Sequence, residues 1–258
     1  MYYRNNKKQN FDRLILNSVN NSHILTNEVY YDKTYKQQLI NELTNRNIYE
    51  KFIKRELQED KYGRTKMCSV ASSSRLCFLL FGNTNGIIFE SPLTTEHSSA
   101  QLDASLDNTF YECKCHEIFD SHDHLSLAYK NDLNKYFGIN NIKENKNYCD
   151  LFLSDFGLNG NNSIYKLHFD VKQFLCHLFG LAHNDGGILQ YIFFTPKEAL
   201  ISQNLFCKQI YDELKTEINM FWNESPKIKK MINTYKIELP KPQMIDVSTI
   251  DDFVMNKL

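Results

Sequence analysis

The chain has 258 residues, enough to bury a substantial core as one large domain or as a core with accessory segments. Hydrophobic residues make up 42%, charged residues 24%, and the formal net charge is −1. Those values suit a soluble globular protein. They weigh against a chain with an overall basic excess for nucleic acid, although basic residues can still cluster on one face.

No apolar run approaches the roughly 18 residues that a bilayer requires, so no membrane partner is expected. The N-terminal stretch MYYRNNKKQNFDR lacks an apolar signal core. The 7 cysteines are scattered and odd in number, which fits reduced thiols and a cytoplasmic setting.

In chain order, residues 28–60 predict a helix, with Leu39, Leu43, Ile48, Phe52 and Ile53 apolar among many charges. Ser72-Ser73-Ser74 offers a cap, and Gly82 a stop, for a short apolar core helix over about 74–81. Gly86 to Pro92 predicts a strand closed by its proline, followed by a polar loop over 93–99. Ala100–Leu106 and Thr109–His116 predict two further strands joined by a tight turn at Asp107-Asn108. Residues 120–162 form a polar insertion with one short helix near 123–137.

Ile164, Leu167, Val171, Phe174, Leu178 and Ala182 then share one face of a helix that Asn184-Asp185-Gly186-Gly187 ends. Gly187–Thr195 predicts another strand and 197–222 an amphipathic helix; the tail after Pro226 is weakly patterned. From 72 to 195 the order is α-β-β-β-α-β. This is an α/β (α+β) class with a small mixed sheet flanked by helices. The expected organisation is an N-terminal helical segment (1–70), a core (71–222) carrying the insertion 120–162, and a C-terminal tail (223–258), packed as one domain.

The hairpin makes a sharper statement. Pairing across Asp107-Asn108 sets Asp103 opposite Glu112, and opposed residues share a sheet face. Lys114 shares that face by alternation, whereas Tyr111, Cys113 and Cys115 turn to the other and suit a core. Two opposed carboxylates repel. A lysine offsets part of this, and a hard divalent cation such as Mg²⁺, bound through oxygen, offsets more. A three-residue turn would instead put Asp103 opposite Cys113. Glu144-Asn145-Lys146 and Glu213-Leu214-Lys215 repeat the Glu-x-Lys spacing without a matching strand or upstream acid. The alternative reading of the same residues is a solvated hairpin face with an ordinary Asp–Lys pair.

The run IIFESP, QLDASL, FYECKCHEIF resembles the PD-(D/E)xK nuclease superfamily, and within it a group of bacterial restriction-endonuclease-like proteins. The resemblance spans about 72–195. It rests on Ser73-Ser74 with Leu80-Phe81-Gly82, Glu90, Leu102-Asp103-Ala104, Glu112 with Lys114, and Glu117. No Pro-Asp pair precedes Glu112, a loss the superfamily tolerates. The resemblance implies metal-assisted phosphodiester hydrolysis on DNA, with defence against foreign DNA as the setting and a homodimer as a possible assembly. Asp103, Glu112 and the Cys113 backbone carbonyl would hold Mg²⁺, with Mn²⁺ able to substitute. Lys114 would position water and stabilise transition-state charge. Glu90 would hold a second metal or a metal-bound water. Glu117, which alternation points away from Glu112, would orient Lys114 or start a helix.

Lys166, Asp170, Gln173 and His177 form a polar stripe on the later helix. Lys166 or Gln173 would contact phosphate there, the alternative being a solvated helix face. Cys113, Cys115 and His116 with His122 and His124 suggest zinc by type, but Cys113 and Cys115 share one face while His116 points to the other, no second Cys pair completes a finger, and core thiols explain them better. Ser121-His122-Asp123-His124 and Cys176-His177 are sequence neighbours that do not converge as nucleophile and base. Two rivals to a nuclease remain: a catalytically inactive module of the same fold that binds nucleic acid or protein, and an unrelated α/β domain with a zinc or structural site.

Overall fold

Side chains of Asp32, Ser72, Asp170, Asn204 and Ser225 cap helix starts, and the sheet follows from the hairpin register. The computed structural model describes residues 2–19, 29–96, 99–119, 129–139 and 167–250. The chain begins with α1 (Tyr2–Ser18) and α2 (Lys33–Asn45), the latter capped by Asp32, whose carboxylate accepts from the Tyr35 N–H at 2.8 Å. The single helix expected over 28–60 is broken. Asn47 takes a left-handed φ of 58°, which asparagine tolerates, and only the short α3 (Tyr49–Phe52) follows.

Ser72 caps the expected core helix α4 (Ser73–Phe81) by accepting from the Arg75 N–H at 3.2 Å. Three antiparallel strands come next: β1 (Ile88–Thr94), β2 (Ser99–Leu106) and β3 (Thr109–Lys114). Pro92 does not close β1 as expected. It lies within the strand, paired with Gln101, because β1 is the sheet edge, where a missing N–H breaks no ladder bond. The expected strand to His116 stops at Lys114, and residues His116–Phe119 form a 3₁₀ turn. In the insertion, α5 (Lys130–Phe137) is the described helix.

The next helix, α6 (Val171–His183), starts later than the apolar spacing implies. Asp170 caps it at the Gln173 N–H (2.9 Å), so Leu167 precedes it, and Ile164 lies outside the described residues. Strand β4 (Gly187–Thr195) then pairs with β3 in parallel, which gives a mixed sheet. The helix expected over 197–222 is divided at Asn204 into α7 (Glu198–Gln203) and α8 (Leu205–Asn219), with a π turn at Met220–Glu224.

The tail is more ordered than its pattern implies. Ser225 and Pro226 open α9 (Pro226–Tyr235), and β5 (Ile237–Glu238) and β6 (Gln243–Asp246) both pair in parallel with β4. Strands of two and four residues are too short to show a period.

The expected α-β-β-β-α-β order over 72–195 is present, with α5 added. The fold is mixed α/β, with the sheet order β1-β2-β3-β4-β5 and β6 sharing the β4 edge. Phe81 packs on Tyr111 at 4.6 Å between ring centroids, so α4 covers the Tyr111 face. His177 of α6 meets Tyr191, the register partner of Glu112, so α6 covers the other face. One apolar core runs from Phe11 to Val247 and ties the first helix and the tail to the sheet.

At Gly180 the closeness of α6 to the sheet admits no side chain. A Cβ there would lie 2.8 Å from Leu93 Cβ and 3.2 Å from Ala100 Cβ. Gly180→Val is expected to lower stability by about 1–3 kcal/mol through overpacking, measured by urea unfolding; an unchanged midpoint would mean that the contact is not tight.

Candidate active site

The two-residue turn sets the register on which everything else depends. Asp107 is left-handed (φ 52°), as a tight hairpin requires, and Leu106 pairs with Thr109, Ser105 with Phe110, and Ala104 with Tyr111. One step further, Asp103 stands opposite Glu112. Here the two strands part. The ladder ends at Ala104–Tyr111, and the Asp103 carboxylate accepts the Cys113 N–H itself at 2.7 Å. A strand residue's N–H and C=O leave on the same side, so the Cys113 carbonyl also points toward Asp103.

The other neighbour of β2 repeats the pattern. Phe89 pairs with Ala104 and Ser91 with Leu102, which places Glu90 beside Asp103. Glu90 leaves the ladder, with a left-handed φ of 51°. A non-glycine residue held this way costs roughly 1–3 kcal/mol, and such strain concentrates at functional positions. Glu90, Asp103 and Glu112 thus form a row across three adjacent strands.

Lys114 closes the row, with its Nζ 2.6 Å from Glu112 Oε1. Glu117 joins it too, against the expectation from alternation. The 3₁₀ turn after Lys114 swings Glu117 back, and its carboxylate accepts from the Cys115 N–H at 2.7 Å and from the Ser73 hydroxyl at 2.6 Å. Ser73 belongs to the serine run read from the sequence as a cap; Ser72 caps α4, while Ser73 holds Glu117.

From the opposite wall, α6 supplies His177, 1% exposed, with Nε2 3.6 Å from Glu112 Oε2. Nε2 also lies 3.3 Å from the Gln101 carbonyl, which only accepts, so Nε2 carries the proton and donates. The Tyr191 hydroxyl, 3.0 Å from Nδ1, donates in turn. Burial, then the Lys114 charge, push the imidazole down to about 3, so it is neutral.

Charge in this cluster is unbalanced. Burial and then repulsion from Asp103 raise Glu90 to about 7. Burial and then Glu112 hold Asp103 well above the usual carboxylate range, against the pull of Lys114. Glu112, only 2% exposed, also rises to about 7 because burial outweighs its lysine partner. Burial opposes the Lys114 charge, yet Glu112, Glu117 and Asp103 outweigh it and raise the amine's pKa. Burial likewise works against the Glu117 carboxylate, but His116, Lys114 and the hydrogen bonds from Ser73 and Cys115 bring the net shift down. The Lys114 ammonium therefore faces three carboxyl groups, two of which are held toward the neutral form, while Arg55 and Lys51 act on the fourth, Glu90.

This donor set fits a hard divalent cation. It is all oxygen, and Asp103, Glu112 and the Cys113 carbonyl converge where β2 and β3 part. Mg²⁺ is commonly bound by one or two carboxylates together with water and substrate phosphate. Among the described residues no group of three or more His, Cys, Asp and Glu side chains is gathered to hold a metal, so a cation here would rest on two carboxylates and the Cys113 carbonyl, an open ligand set. Glu112→Gln keeps the shape and removes the charge. It is expected to weaken Mg²⁺ binding more than about tenfold by calorimetric titration, in line with the cost of disturbing metal sites; parental affinity would take Glu112 out of the ligand set.

The remaining sequence candidates separate clearly. Gln173 is half-buried, one helical turn before His177, on the same side of α6. Asp170 is the α6 cap, and Lys166, His122 and His124 lie outside the described residues. His177 overturns the solvated-face reading of the stripe at its own position. Its spacing from Gln173 was the available signal, while Tyr191 sits in an apolar strand and gave none. The zinc reading loses His116, which pairs with Asp12 at 3.2 Å, while Cys113 and Cys115 are buried thiols outside any disulfide.

No protein family matches the chain, and no curated protein or solved structure matches it. Among the described residues no helix is long and apolar enough to cross a membrane.

Proposed function

We propose that this chain is a divalent-cation-dependent phosphodiesterase of the PD-(D/E)xK type that cleaves DNA in a reducing, cytoplasmic setting. The observation that carries this reading is the convergence of Asp103 and Glu112 with Lys114, 2.6 Å from Glu112, at the point where two paired strands separate. The α-β-β-β-α-β order supports it.

Asp103, Glu112 and the Cys113 carbonyl would hold Mg²⁺ or Mn²⁺, which when bound polarises the scissile phosphate and makes water a better nucleophile. The chain's own groups do the rest. Lys114, kept charged by its acidic neighbours, neutralises charge that develops on the phosphate oxygens. Glu117, fixed by Ser73 and Cys115, anchors the region around the lysine. Glu90, at about 7, exchanges a proton with water near neutral pH, as a general base must. His177, neutral and tied at both nitrogens, screens Glu112 from the α6 side.

A second reading, a binding module of the same fold without catalysis, draws on the engagement of Glu112 Oε1 by Lys114 and on the open ligand set. Incubation with supercoiled and linear DNA, in Mg²⁺, Mn²⁺ or EDTA, decides between them. Cation-dependent nicking or shortening that EDTA suppresses is expected. Intact DNA in both cations, with protein that still binds it, selects the module. A homodimer is part of the proposal and is checked by sedimentation with and without DNA.

A further inference from the structure

A basic, aromatic-tipped rim stands beside the Glu90 end of the site. Phe52 of α3 packs on Phe89, next to Glu90, at 5.9 Å between ring centroids. The charges of Arg55 and Lys51 act on the Glu90 carboxyl, after burial and the nearby Asp103 and Glu56. The chain then runs into a hairpin closed by the bridge between Glu59 and Thr65.

This hairpin is exposed but rigidly built. Asp60 accepts from the Tyr62 and Arg64 N–H groups at 2.8 and 3.0 Å, and its other oxygen accepts from Arg64 Nε and Nη2 at 3.0 and 2.8 Å. The Asp60 N–H donates to the Arg64 carbonyl at 2.8 Å, Gly63 takes the left-handed φ of 74°, and Lys36 of α2 pins Glu59. On the tip, Tyr62 is 67% exposed, with the Arg64 guanidinium 4.7 Å and the Lys61 ammonium 4.9 Å from its ring centroid.

Among the described residues, three of the four acids over 49–66 are ion-paired, and four of its six cations are not. Glu59 pairs with Lys36, Asp60 with Arg64, and Glu56 with Lys66 at 3.9 Å. Lys51, Lys54, Arg55 and Lys61 are exposed and make no ion pair among the described residues; Glu50 is the one acid of the segment in the same position. A fixed, solvent-facing aromatic ring among outward cations fits a polyanion that also carries flat, stackable faces, which is a nucleic-acid strand.

We propose that this rim holds DNA against the acidic site: Lys51, Lys54, Arg55 and Lys61 take backbone phosphates, and Tyr62 stacks on an unpaired base. From Glu56 to Tyr62 is 6 residues, so the tip lies within about 20 Å of the rim's base, or roughly six base-pair steps. Arg64, fixed by Asp60, backs the tyrosine, while Lys61 on its flexible stem is free to pivot to a phosphate. The inference rests on the nuclease reading of the acidic site.

The test measures binding by itself, in EDTA, with the full chain and fluorescein-labelled single-stranded and duplex oligonucleotides across a salt series. Lys51→Ala/Arg55→Ala is expected to reduce the salt slope on duplex by about 1.8, and Tyr62→Ala to weaken single-strand binding about 5- to 150-fold. Lys229→Ala/Lys230→Ala, two exposed lysines on α9, should leave both unchanged. All these residues are at the surface, so circular dichroism and melting should match the parent. Parental binding by the rim variants, or an equal loss in the α9 control, overturns the proposal. A parent that cuts DNA while the rim variants bind normally keeps the nuclease reading and loses this one. A rim that binds DNA that is never cut keeps this one and turns the site to the binding module.

Discussion

Lys114→Ala and Asp103→Asn are each expected to lower cation-dependent DNA cleavage by at least about 10²–10³-fold, with folded protein in hand. The argument is one of charge. Lys114 is the single ammonium acting on Asp103, Glu112 and Glu117, and it is the group left to meet an anionic phosphate. Its loss would strand a buried carboxylate, a fault that ordinarily costs several kcal/mol. Glu112 already titrates near 7, however, so it takes up a proton instead and the core survives. Asp103→Asn is chosen over alanine because the amide oxygen still accepts the Cys113 N–H, which keeps the join between β2 and β3 while removing the charge. Single-turnover cleavage, read beside far-ultraviolet circular dichroism, separates chemistry from folding. Parental rates in both variants would move the active site elsewhere or remove it.

The part of the site that the sequence displays is the part that local geometry dictates. Asp107-Asn108 is a short, polar break between two apolar runs, so the register, and with it the pairing of Asp103 with Glu112 and the placement of Lys114, follows from counting. Glu117 was marked by resemblance, but counting put it on the wrong side because counting assumes that the strand continues. A 3₁₀ turn begins at His116, alternation stops, and the carboxylate swings back to Ser73. His177 was hidden for another reason. Helical spacing says that Gln173 and His177 share a side, but not that this side faces β4 across a buried gap.

Pro92 shows the same limit from the other direction. Proline ends a strand inside a sheet, and whether a strand is an edge is a property of topology. The tail is the extreme case. Short strands β5 and β6 acquire their structure from the exposed edge of β4, which no pattern inside 237–246 announces. Glu90 was marked by resemblance, but its left-handed backbone is visible only in the folded chain.

The cation and the fold should also be linked through pH, which tests the site without any substrate. Glu90 and Glu112 rise from 4.5 in the unfolded chain to about 7 in the folded one, and Asp103 moves the same way. Between those values the folded chain holds more protons than the unfolded one, so stability falls as pH rises through the window. His177 works against this at lower pH: its folded pKa of about 3 lies below the ordinary 6.5, so stability from that group is lost as pH falls through the interval. Glu117, shifted down, adds a term that disappears only in acid, and Lys114, shifted up, one that disappears only in alkali.

The window from about pH 6.5 to 8 is therefore governed by Glu90 and Glu112, since His177 is neutral there in the folded chain and only its remaining protonation in the unfolded chain, about half at pH 6.5 and small above pH 7.5, opposes them. A shift of that size is worth on the order of 3 kcal/mol for one carboxyl over its whole range, and less than additive for neighbours that share Asp103. A bound divalent cation takes the deprotonated form, so the stabilisation it gives should grow as stability without it declines. At 100 times its dissociation constant it restores about 2.7 kcal/mol. The expected result is a melting temperature that falls from pH 6.5 to 8 in EDTA, rises with Mg²⁺ mainly at pH 8, and loses the Mg²⁺ response in Glu112→Gln. A melting temperature that is flat over this range, and indifferent to Mg²⁺ at pH 8, would mean that the carboxyls are not held apart from solvent as the row across β1, β2 and β3 requires, and the cation site would fall with it.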